Sequence, residues 1–325
     1  MVRPLPPHPI NDITTCLYAP AVAGHAVRTN AIHELASSFS RIHQLPRLET
    51  INLTFYPVYN NRLRSDGRGP SRLALQVSIL GALAASFSVC VPPKLTSFSL
   101  HNLRTSDLSP LKSPSFQTVL TTLWRLQVSV LFDSDPVPVM FSDRWCNFWS
   151  TFFPRMILAP TQHSLTELTL HSDEDVGASS GLSLAGQLFP HLCALSLRKL
   201  VFEPLVGVEP FVLRHAATLA RLELLACKLP ARADRLLTQW APSPSTTPAR
   251  DEACWKPIWD RFAGELTALV SLHVEGLECR YVYPGTGISF WETGALDSRK
   301  AADAAALRRF HITVAARSEE TRGEP

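Results

Sequence analysis

The side chains of this chain that could do chemistry are few and scattered. Gly177-Ala178-Ser179-Ser180-Gly181 matches G-x-S-x-G letter for letter. In a hydrolase that motif works because a strand runs straight into the serine and a helix leaves it, with an acid and then a histidine later in the chain. Here the strand-like run ends near His171, and Asp173, Glu174 and Asp175 intervene before the glycine. A flexible small-residue loop is expected there, not a nucleophile. The three acids do not alternate with glycine as a cation-binding loop would, so a solvated loop is expected of them too. His273 and His311 fall at the same place in successive copies of an apolar pattern, but only Glu275 stands near them as a further ligand. Surface histidines are expected, not a metal site.

No phosphate-cradling glycine loop, dinucleotide fingerprint or H-E-x-x-H pair occurs. No cofactor is expected, and the chain reads as a non-enzyme. The seven cysteines are odd in number, widely spread, and form no C-x-x-C. Free thiols in a reduced compartment are expected. The net charge of +3 and the absence of a Lys/Arg run give no case for nucleic acid. The first ten residues hold no apolar core of a signal peptide, so cytoplasm or nucleus is the expected location. One charge-free run lies between Arg72 and Lys94, but Gln76, Ser78, Ser86 and Ser88 interrupt it. Leu73, Val77, Leu80, Ala84 and Phe87 recur in it at helical spacing, which predicts a buried amphipathic helix and no membrane span.

The elements that would position any site follow from one stretch. Leu219 to Leu229 reads L-A-R-L-E-L-L-A-C-K-L and fits the leucine-rich template L-x-x-L-x-L-x-x-[N/C]-x-L at every specified place. Cys227 takes the Asn/Cys slot, where a small side chain is buried as the chain turns off the strand, so its role is structural. The core pattern recurs, with apolar swaps, as Leu48-Ile51-Leu53, Leu95-Phe98-Leu100, Leu123-Leu126-Val128 and Leu165-Leu168-Leu170. It continues as Leu192-Leu195-Leu197, Leu219-Leu222-Leu224, Leu269-Leu272-Val274 and Leu307-Phe310-Ile312. Pro46, Pro93 and Pro190 each precede a first leucine by two residues, and some steps between copies are 27 or 28 residues. Longer steps imply insertions.

The tracts between copies read as helices: 31–45, 113–120, 143–157 with a break at Pro154, 209–219, 252–269 and an alanine-rich 295–307. The expected fold is therefore α/β: a leucine-rich-repeat solenoid of about eight irregular repeats, with a parallel concave sheet and convex helices. Residues 1–30 form an N-terminal segment, a cap or disordered. The repeat domain spans 31–316 with insertions at 56–70, 172–182 and 241–250, and 317–325 is a disordered tail.

Strand alternation then lists an outward, concave face. His101, Arg125, Glu167, His171, Arg198, Arg221, Glu223, His273, Glu275, Arg309 and His311 are its candidate protein-binding residues. Arginine is the favoured anchor of such a face.

The segments Leu45–Phe55, Phe189–Arg198, Phe211–Cys227 and Trp259–Val274 resemble the leucine-rich-repeat regions of fungal F-box proteins. That resemblance covers roughly 45–316. It implies a substrate receptor of an SCF-type ubiquitin ligase: an F-box docks on Skp1 and the repeats hold a protein target. Leu5-Pro6-Pro7-His8-Pro9-Ile10 only faintly matches the opening of an F-box, and no helical box follows. Skp1 is thus an expected partner only where an F-box accompanies the repeats. The alternative is a regulatory solenoid of the GTPase-activating type, acting on a partner enzyme. No membrane partner is expected.

Overall fold

The computed structural model describes residues 12–17, 33–55, 72–105, 108–132, 143–177, 180–229, 254–276, 281–282, 289–290 and 297–323. Its frame is one parallel sheet of eight strands in strict chain order. They are β1 (Asp12–Leu17), β2 (Thr50–Phe55), β3 (Ser97–Arg104), β4 (Arg125–Leu131), β5 (Glu167–Val176), β6 (Ala194–Leu200), β7 (Arg221–Leu225) and β8 (Ser271–Glu275). A two-stranded antiparallel pair, β9 (Tyr281–Val282) and β10 (Ser289–Phe290), follows.

The expected register holds through seven copies. Ile51, Phe98, Leu126, Leu168, Leu195, Leu222 and Leu272 stand side by side across β2 to β8, and Leu53, Leu100, Val128, Leu170, Leu197, Leu224 and Val274 form the next inward row. Only Leu272 and Val274, on the last strand, are not fully buried. The leading leucines from Leu48 to Leu269 are all buried as well.

One backbone device recurs at each joint from β2 to β8. The carbonyl just before a strand accepts two N–H groups from the start of the next strand: Glu49 from Thr96 and Ser97, Trp124 from Thr166 and Glu167, Ala220 from Val270 and Ser271. Past the two inward rows the chain turns through a left-handed residue, Asn102 within β3, Lys199 within β6, and Ala226 and Gly276 just after β7 and β8. That turn aims the following side chain into the core, and Leu103, Leu200 and Cys227 each show no exposure.

Helices pack on the inward face of the sheet. They are α1 (33–39), α2 (Arg72–Val89), α3 (Pro114–Leu120), α4 (143–161), α5 (Val208–Arg214), α6 (Trp255–Glu265) and α7 (Asp297–Gly323). The buried stripe of α2 is Leu75, Ile79, Leu80, Leu83 and Phe87, so the charge-free run is a core helix. No helix among the described residues is long and apolar enough to cross a membrane. Ser113 caps α3, its Oγ accepting the Phe116 N–H at 3.3 Å.

Four expectations need correction. The helix over 143–157 does not break at Pro154. It widens into π-helical turns over Phe148–Leu158, in which the Ala159 N–H reaches back to the Pro154 carbonyl. Proline has no N–H to donate, and a wider turn removes the clash of its ring with the preceding turn. Residues 172–176 are not part of an insertion but extend β5, and the acids at 173–175 lie on it. The N-terminal segment supplies β1, an edge strand paired with β2 from Asp12↔Thr50 to Leu17↔Phe55. It escaped the pattern search because Asp12-Ile13-Thr14-Thr15-Cys16-Leu17 carries no leading leucine.

The fourth correction concerns the eighth copy. Leu307-Phe310-Ile312 is no strand: α7 runs through it, and 317–323 continue that helix instead of fraying. The first two template positions are three apart, a spacing that suits a helix face as well as a strand start. The third position decides. Phe310 and Val314 are buried while Ile312 is 69% exposed, which is helical and not strand spacing. Arg317 seals the end of α6 by donating to the carbonyls of Ala263 and Leu266, both at 2.7 Å. The insertions expected at 56–70 and 241–250 lie outside the described residues.

Candidate functional site: the polar face of the sheet

Among the described residues, helices cover one face of the sheet and leave the other to polar side chains. Strand register sets these in three rows. The first runs Thr50, Ser97, Arg125, Glu167, Ala194, Arg221, Ser271, and the second Asn52, Ser99, Gln127, Thr169, Ser196, Glu223, His273. In the third row His171, Arg198, Leu225 and Glu275 stand abreast on β5 to β8, with His101 beside Thr54 at the other end. Nine of the eleven candidate residues therefore share this face: His101, Arg125, Glu167, His171, Arg198, Arg221, Glu223, His273 and Glu275. Arg309 and His311 do not, because α7 carries them. Arg309 instead pairs with Asp260 of α6 at 2.8 Å.

Within the rows the charges are unevenly satisfied. Arg125 grips Glu167 on the neighbouring strand through two bonds, Nε to Oε2 at 2.7 Å and Nη2 to Oε1 at 2.9 Å. That bond holds the Arg125 guanidinium protonated above its ordinary range. Ser196 donates to Glu223, and the imidazole Nε2 of His171 lies 2.9 Å from the same hydroxyl. Because the serine proton goes to the carboxylate, His171 must donate its own Nε2–H to Ser196.

This His–Ser–Glu chain is the reverse of a nucleophile relay, in which the serine proton points at the imidazole. Burial first, and then the positive charge of Arg198, pull His171 down to about 4, so its ring is neutral near pH 7. His101, half-buried, is lowered by burial alone.

At the far end of the strands the acids expected as a solvated loop are structural. Asp173 accepts the Phe132 N–H at 2.8 Å, Lys199 donates to the Asp173 carbonyl, and the buried Lys228 holds Asp175 at 2.5 Å. Burial raises the Asp173 and Glu174 carboxyls. The lysines that neutralise this corner sit near the end of β6 and on the turn after β7, so sequence adjacency gave no hint of the pairing.

Ser179 lies outside the described residues. Its neighbour Ser180 is buried and donates to the Gly177 carbonyl at 2.6 Å. Gly181 is left-handed, and a Cβ there would meet the Ser150 Cβ at 2.8 Å. The glycine has a packing reason.

His273 is 3.5 Å from Glu275, and both are exposed. His311 is lowered first by burial and then by the charge of His273, so the two are neighbours across the β8–α7 contact and not across strands. Among the described residues no group of three or more His, Cys, Asp or Glu converges to hold a metal ion. Burial pushes the Cys227 thiol up to about 12, as its structural slot requires.

Two residues of this region were not among the candidates, although alternation turns Ser196 outward. Ser196 bridges His171 and Glu223, a role visible only once three strands are aligned. Trp124 stands just before β4, 61% exposed, with its backbone between those of Thr96 and Thr166. No protein-family model, curated protein or solved structure matches the chain.

Proposed function

We propose that the chain is a leucine-rich-repeat solenoid and a non-catalytic protein-interaction module whose polar sheet face holds a protein target. The observation that carries this reading is the sheet itself. All-parallel sheets are as a rule covered on both faces, whereas this one presents outward rows of Arg, Glu, His, Ser and Thr, with helices on one side only among the described residues. Seven in-register copies of the leucine pattern and the recurring joint bonds support the repeat assignment. The resemblance to the repeat regions of fungal F-box proteins makes a target-selecting subunit of an SCF-type ubiquitin ligase the favoured setting.

The test is affinity purification of the full chain beside Thr169→Arg, which places a long charged side chain at the centre of the second row. Recovery of a target with the wild-type chain and its loss with Thr169→Arg is expected. Recovery of Skp1 alongside the target supports the ligase setting, while a GTPase without Skp1 supports the regulatory one. An identical partner set for both chains would refute binding through this face.

A further inference from the structure

Between β5 and β6 the chain forms no α-helix among the described residues, so the stretch 181–193 must satisfy its backbone polar groups by other means. Its neighbours supply them. The Leu184 N–H donates to the Val206 carbonyl at 2.8 Å. Arg214 on α5 donates from Nη1 to the Gln187 carbonyl at 2.6 Å, and Gln162, just past α4, donates to the Gln187 side chain at 2.8 Å. The Phe189 N–H goes to a titratable group, donating to Nε2 of His215 at 3.0 Å.

The His215 ring is 2% exposed and lies against the rings of Phe189 and Phe211. Its other nitrogen, Nδ1, is 2.7 Å from the Phe211 carbonyl. A backbone N–H only donates and a carbonyl only accepts, so Nε2 is bare and Nδ1 carries the proton. One neutral tautomer thus ties α5 to the stretch before it. A second proton, on Nε2, would face the Phe189 N–H and bury a cation without an acceptor. Arg214 is the one charge among the described residues that acts on the ring, and it is of the same sign. No carboxylate compensates it: Glu209, at the start of α5, is turned to Arg261 at 3.3 Å, and neither His191 nor Cys193 of the stretch acts on the ring. Burial chiefly, with Arg214 behind it, holds His215 below its ordinary 6.5, although the bond to Phe211 works the other way.

We infer that His215 is a pH-sensitive latch: its neutral ring fastens the helix-free stretch 181–193 to α5, and protonation of the ring releases that stretch while the sheet stays formed. Release uncovers Phe189 and Leu192, which have no exposure while the latch is closed. The latch lies on the helix side of the sheet and stands whatever the polar face binds. Release becomes about tenfold more favourable for each pH unit below 6.5, down to the lowered value of the fastened ring.

The experiment is hydrogen exchange of the full chain, read by mass spectrometry at pH 7.0 and 4.5 and corrected for the pH dependence of intrinsic exchange, beside His215→Gln. The glutamine amide oxygen can accept the Phe189 N–H but takes no proton. In the wild-type chain, peptides covering 182–192 are expected to lose at least about tenfold in protection at pH 4.5 relative to peptides covering 79–87 of α2. In His215→Gln the relative change is expected to stay under about twofold. Should that variant not fold, 15N-histidine spectra of the wild-type chain carry the test. The ring in contact with Phe189 and Phe211 is expected to show a bare Nε2 at pH 7.0 and to become imidazolium in step with the loss of protection.

Unchanged relative protection in the wild-type chain would overturn the latch, as would an equal loss in His215→Gln. So would a loss spread evenly along the chain, or a ring still neutral once the stretch has opened.

Discussion

Three leucines on one short strand test the architecture most directly. Leu222 and Leu224 on β7 have no exposure, while Leu225 is half-buried on the opposite face between Arg198 and Glu275. Leu222 is walled by Leu195 and Leu272 on the adjacent strands. Truncation to alanine there removes most of a buried side chain among neighbours that the sheet holds in place, so the cavity cannot close fully. Leu222→Ala and Leu224→Ala are each expected to cost about 2–5 kcal/mol. Leu225→Ala, which opens no internal cavity, should cost under about 1 kcal/mol, and Arg221→Ala, exposed and without a partner among the described residues, within about 0.5 kcal/mol. The assay is equilibrium urea unfolding of the full chain, followed by the fluorescence of the buried Trp145, Trp149, Trp255 and Trp259. Midpoints are compared at unchanged slope. A one-residue slip in register would exchange the faces. Equal losses for Leu225→Ala and Leu222→Ala would therefore refute the register and every residue placed on the polar face by it.

The remaining predictions are narrower. Ile312→Asp should be tolerated within about 1 kcal/mol because Ile312 faces solvent on α7. Phe310→Ala, which empties the site stacked on Trp259, should cost about 3–5 kcal/mol in the same assay, and the opposite ranking would restore the strand.

His171 has a folded pKa of about 4 against 6.5 unfolded, so the unfolded chain binds the extra proton between those values. Its contribution to stability is complete above about pH 6.5 and is lost as pH falls toward 4. His101, His215 and His311 act in the same sense, while the raised Asp173 and Glu174 act in the opposite one. The wild-type minus His171→Gln difference in melting temperature between pH 7 and 4.5 isolates the single group. A difference that does not change with pH would contradict its burial.

In the native protein iodoacetamide should label the exposed Cys90 and leave Cys227 untouched until unfolding, read by peptide mass mapping. Comparable labelling rates would contradict the buried slot.

Local pattern was enough to determine the seven strands β2 to β8, their inward rows and the place of Cys227. A period-two alternation led by a leucine leaves little freedom once neighbouring copies must bury their apolar sides together. It was enough, too, to place nine of the eleven candidate residues on one face, since burial of Leu222 and Leu224 forces Arg221 and Glu223 outward. What it could not decide were the ends and the partners. Asp12–Leu17 became a strand because β2 offered an unpaired edge, and Leu307–Ile312 became helix because Phe310 and Val314 could pack into the core from an alanine-rich helix. Likewise the bond from Ser196 to Glu223 and the hold of Lys228 on Asp175 depend on which strand lies beside which. These partners are 27 or more residues apart in the chain and meet across the sheet, and no spacing within a single copy encodes that meeting.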